Sequence, residues 1–112
     1  MAATINFEDI FKTLKQKVEE LAKMFLQHYT KQAIKDGKKF LEDTRENLKR
    51  WTLLLIEKKL TIQDFEWLVL SQKDLAAMVA LKQAGLSVIR IQQFRDSILN
   101  LVVDTIFGLI KI

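Results

Sequence analysis

Apolar positions recur at helical spacing along almost the whole chain. Phe7, Phe11, Leu14, Val18, Leu21, Phe25 and Tyr29 follow at steps of four, three, four, three, four and four, one stripe with a heptad-like, coiled-coil start. Asn6 is placed to cap this helix, Asp9 stands at its acidic third position, and Ile5 with Ile10 has the spacing of a hydrophobic staple. Lys15, Lys17, Glu19 and Lys23 fall off the stripe and face water.

Beyond Tyr29 the stripe changes step. Ala33, Gly37, Phe40, Thr44, Leu48, Trp51 and Leu55 continue in a rhythm closer to eleven residues. Two architectures follow. In the first, one helix runs from about 7 to 59 and measures about 80 Å at 1.5 Å per residue, with Ala33 and Gly37 permitting close helix contact. In the second, Asp36-Gly37 is a turn and the helix divides there. Lys38 and Lys39 are poor helix starters, and one glycine inside a periodic pattern costs only about 1 kcal/mol, so continuity is the expectation. It predicts a helical backbone from Ala33 to Leu41.

Thr61 carries the clearest local start signal, with Asp64 three residues on and the apolar Phe65 next. The helix it opens is expected over 62–84, closed by Gly85 in the left-handed region. It bears two apolar faces, Phe65, Leu68, Val69, Leu75, Ala76 and Val79 on one, Trp67, Leu70, Met78 and Leu81 on the other. Ser87 starts a last helix over about 87–111, whose main face is Ile91, Phe94, Ile98, Leu101, Leu109 and Ile112. Residues 102–107 are rich in β-branched side chains but do not alternate, which argues against a strand. Short loops make consecutive helices antiparallel. The expected fold is an all-α antiparallel helical bundle: a long N-terminal helix (about 7–59) plus a helical hairpin (about 62–84 and 87–111). The alternative is a four-helix up-down bundle broken at Gly37.

Composition narrows the class. With 112 residues, 49% apolar and 29% charged, the chain reads as one globular domain over 1–112. Proline and cysteine are absent and only three glycines occur, which suits helices and removes disulfides and thiol chemistry. The lack of cysteine fits a reducing compartment, and Met1 to Asn6 has no signal-peptide pattern, so a cytoplasmic location is expected. The net charge of +4 comes from the first half; residues 60–112 carry five basic and five acidic groups. Residues 98–112 form the most apolar segment, yet Asn100, Asp104 and Lys111 interrupt it and fifteen residues rise only about 22 Å.

Candidate chemistry is sparse. His28 is the sole histidine and lies beside the first stripe. The acidic groups Glu19-Glu20, Glu42-Asp43-Glu46 and Asp64-Glu66 stand in no apolar setting that would separate an acid from a base. No Glu-x-x-His pair and no glycine-rich phosphate loop occurs. The expectation is a protein without catalysis, cofactor or metal. Lys31, Lys35, Lys38, Arg45 and Lys49 share a broad sector of a continuous first helix, a possible phosphate-binding face weakened by Glu42 within it.

Most aromatics fall on apolar stripes and belong in a core, whereas Trp67 heads a second face and suits a subunit contact or a ligand edge. A hairpin about 35 Å long covers less than half of an 80 Å helix, and the rest of the stripe calls for a second copy. The expected function is therefore a non-catalytic, self-associating interaction module, a homodimer for preference. Its candidate interface is Phe7, Phe11, Leu14, Val18, Leu21, Phe25 and Tyr29 with Trp67, Leu70, Met78, Leu81, Ile106 and Ile110. The alternatives are an apolar-ligand or peripheral membrane protein, motivated by residues 98–112, and a weak nucleic-acid binder through the lysine-rich sector.

Overall fold

A computed structural model describes residues 6–110 and is built from helices alone. Helix α1 spans Phe7–Phe25, α2 Thr30–Ile56, α3 Ile62–Leu70, α4 Val79–Gln83 and α5 Val88–Ile110. The all-α antiparallel bundle holds. The single helix over 7–59 does not, and neither does a break at Gly37.

The chain reverses at Leu26, before a single 3₁₀ turn over Gln27–Tyr29. The described molecule measures 48 Å in its longest dimension, well short of an 80 Å helix. No proline, glycine or asparagine marks this corner; folding back is driven by burial. The α1 stripe turns onto the α2 stripe, so that Leu14, Val18 and Ala22 face Ala33, Phe40 and Leu41 in one common core. The Thr30 hydroxyl helps close the corner by donating to the Gln27 carbonyl at 3.0 Å. Ion pairs record the antiparallel register: Glu8 meets Arg45, Lys15 meets Glu42 and Glu19 meets Lys38.

Gly37 lies inside α2, and the backbone from Ala33 to Leu41 is helical as expected. It sits where three helices meet. A Cβ at Gly37 would lie 2.5 Å from Cγ1 of Val18 on α1, and 3.6 Å from both Ile98 and Phe94 on α5. The glycine is there for close approach.

The helix expected over 62–84 is divided. Helix α3 ends at Leu70, and the Ser71 hydroxyl donates back to the Trp67 carbonyl at 2.6 Å. The segment 71–78 is not helical. The Asp74 carboxylate accepts the Ala76 amide at 2.8 Å, and the buried Arg95 guanidinium donates to the Lys73 carbonyl at 2.9 Å. This break lets Phe65 and Val69 on one side, and Met78 and Leu81 on the other, reach the same core. A straight helix would have pointed them in different directions.

The local signals behave as expected. Asn6 accepts the Glu8 amide at 2.9 Å, Thr61 the Asp64 amide at 3.0 Å, and Ser87 the Arg90 amide at 3.3 Å. The staple involves Ile5, which lies outside the described residues. Gly85 has φ +92°, with Leu86 N–H bonded to the Leu81 carbonyl and Gly85 N–H to the Lys82 carbonyl, a Schellman ending. Helix α2 ends in the same way with Lys58 at φ 60°. Helix α5 touches all four other helices. Its Ile98, Leu99, Val102, Val103 and Ile106 are buried in the core, while Leu109 is exposed.

Candidate functional site

The most exposed aromatic side chain of the described residues stands on α3. Thr61 fixes where this helix starts, and burial of Phe65 and Val69 fixes its rotation, with the Phe65 and Phe107 rings 5.6 Å apart. Trp67 is thereby turned outward and is 69% exposed. It lines an open groove of about 660 Å³ with Gln63, Glu66, Leu70, Ser71 and Lys73. Spacings of three and four place Gln63, Glu66, Trp67 and Leu70 along the outer face, and Lys73 closes the end. Lys73 Nζ lies 3.5 Å from Asp96 on α5, which sets α3 and α5 antiparallel together with the Phe65–Phe107 contact.

This groove offers an aromatic ledge flanked by one carboxylate and one ammonium. It has no histidine, and its hydroxyl, on Ser71, is already donated to backbone. Among the described residues no cluster of three or more His, Asp or Glu side chains is arranged to hold a metal ion. His28 is exposed at the α1–α2 corner, apart from this groove.

The candidate interface residues do not share one surface. Phe7, Phe11, Leu14 and Val18 are buried by the chain's own α2 and α5, and Met78, Leu81 and Ile106 are also core. Leu21, Tyr29, Leu70 and Ile110 are partly buried against that core. Only Phe25 and Trp67 of the set are substantially exposed, on different helices. The stripe that seemed to need a second copy is covered within one chain.

The candidate basic face is interrupted by α1. Glu19 pairs with Lys38 at 3.1 Å. Glu8 and Glu46 both reach Arg45, whose guanidinium also lies 5.8 Å and 5.5 Å from the ring centres of Phe7 and Phe11. Lys31 and Lys35 remain exposed and Lys49 half-buried, without ion pairs among the described residues. Carboxylates therefore interrupt the five along this surface.

Two structural residues were not singled out from sequence. Asp36 is buried, and its carboxylate accepts the amides of Ala80 at 3.1 Å and Leu81 at 2.7 Å, capping α4 from α2. Arg95 is buried and joins α5 to the 71–78 segment. The available signal was a charge on an apolar stripe: Asp36 beside Ala33 and Phe40, Arg95 among Ile91, Phe94 and Ile98. No match to this chain is found among protein-family models, curated proteins or solved structures.

Proposed function

We propose that this chain is a non-catalytic helical interaction module that self-associates through the outer face of α3. The observation that carries the reading is the exposure of Trp67. A tryptophan offers a large contact area at low cost in side-chain entropy, and such residues anchor interfaces. The surroundings favour a second copy. A two-fold contact must be self-complementary, with each residue of one chain meeting its counterpart's partner in the other. Glu66 precedes and Lys73 follows the Trp67–Leu70 ledge along the chain, and all four line the groove. Antiparallel apposition of two α3 helices would bring each Glu66 to the opposing Lys73 and each Trp67 to the opposing Leu70.

The contact would be small. Nine residues of helix span about 13 Å, so the buried area falls below the roughly 1,200 Å² of stable interfaces and the dimer exchanges readily. Sedimentation equilibrium from about 10 μM to 1 mM tests it. A monomer–dimer equilibrium is expected, weakened by Trp67→Ala. Trp51 is buried, so a concentration-dependent blue shift in emission reports Trp67. Glu66→Lys alone and Lys73→Glu alone should each weaken the dimer, and the double swap should restore it. A monomer throughout the range, or a dimer indifferent to all of these changes, overturns the reading.

A further inference from the structure

The end of the bundle formed by the α1–α2 corner and the α4–α5 turn has a different character from α3. Met24 is 79% exposed and Ile89 67%, with Phe25 and Val88 also exposed. They belong to one end because α1 and α5 run antiparallel, with the Phe25 and Phe94 rings 6.4 Å apart. Lys82 and Val88 line one groove with Ile91, which places the α4 cation beside the start of α5.

Charge is sorted at this end. No Asp or Glu occurs from Leu21 to Lys35 or from Met78 to Arg95. The same two segments hold Lys23, Lys31, Lys35, Lys82 and Arg90, all exposed and none in an ion pair among the described residues. Their sixth cation, Arg95, is buried against Asp96 and the Lys73 carbonyl. Twelve basic and fourteen acidic residues are left for the remainder, so the chain's net positive charge resides in the two segments that meet at this end.

The carboxylates nearest this end are largely occupied. Asp36 is held by two amides, Glu19 by Lys38, and Asp74, in the groove with Lys82, by the Ala76 amide. Glu20, exposed one turn below Lys23, marks the boundary.

We propose that this pole docks on an anionic lipid surface, with Met24, Phe25, Val88 and Ile89 entering the headgroup–acyl boundary and the five cations meeting lipid phosphates and carboxylates. The combination selects the occupant. An anionic bilayer supplies both an apolar interior and a negative surface, whereas a polyanion such as duplex nucleic acid leaves four apolar side chains without a role. The inference is independent of the α3 contact.

Vesicle co-sedimentation of the full chain tests it. Phosphatidylcholine vesicles with roughly a third phosphatidylserine should bind at low salt, pure phosphatidylcholine should not, and rising salt should release the protein. Each cation at such a surface is worth about fivefold in partitioning, so Lys31→Gln with Lys82→Gln should weaken binding about 25-fold. Met24→Ser with Ile89→Ser leaves charge unchanged and should weaken it at least about tenfold. These side chains are exposed in the folded chain, so circular dichroism should show folding intact.

Lys58→Gln with Lys59→Gln, on the α2–α3 loop, and Trp67→Ala should leave vesicle binding unchanged. Equal binding to neutral and anionic vesicles, or no binding at low salt, overturns the proposal. So does binding insensitive to the Met24 and Ile89 changes, and tight duplex binding with that insensitivity would reassign the pole to polyanions.

Discussion

Gly37 and Thr52 show how much hangs on single atoms in the α2 core. Alanine in place of glycine inside an exposed helix is ordinarily stabilising by about 1 kcal/mol. At Gly37 the new methyl would meet Val18 Cγ1 at 2.5 Å, and a β-branched side chain in a helix has little freedom to turn away. Overpacking of this kind costs about 1–3 kcal/mol, so Gly37→Ala should destabilise by up to about 2 kcal/mol net in urea unfolding. Combining it with Val18→Ala should be less costly than the sum of the two single changes. A stabilised Gly37→Ala would contradict the three-helix contact. Thr52 is fully buried and its hydroxyl has no hydrogen-bond partner among the described residues. Replacing that hydroxyl with a methyl removes an unmet polar group, and Thr52→Val should stabilise by about 1 kcal/mol by the same measurement. Thr52→Ser keeps the hydroxyl, loses the methyl and should destabilise.

Helix α4 is too short to stand alone and depends on a side chain from elsewhere. Its first turn has no cap of its own; the Asp36 carboxylate on α2 takes the Ala80 and Leu81 amides instead. Asp36→Ala should cost about 2–3 kcal/mol and raise hydrogen exchange selectively at those two amides. Unaltered protection there would refute the strut. The same helix shows what could be read in advance. Thr61, Ser87 and Gly85 were legible because each acts on backbone within a few residues. Ser71-Gln72-Lys73-Asp74 is a polar run that signals the end of α3, but the apolar spacing on either side masks it. The α1–α2 corner has no breaker residue; its trace is the change of step at Tyr29, where two stripes that face each other replace one that runs on.

For the molecule as a whole, the composition and periodicity made the helical class legible, while the candidate interface was not. Phe7, Phe11, Leu14 and Val18 are apolar at the right spacing, but spacing is silent on whether the facing surface comes from the same chain or another. Trp67 could be picked out because it lies off the face of Phe65 and Val69. The charged pole could not, since it joins residues 21–35 to residues 78–95 across a corner that sequence alone did not locate. The contacts of α5 have a further consequence, for the order of events during folding. α1 and α2 are neighbours along the chain and can zip together early, because their contacts close short loops. Val18 and Gly37 are then left facing the place that Phe94 and Ile98 will occupy. On a ribosome these residues emerge last of the five helices, so the nascent hairpin carries an open seam until α5 arrives.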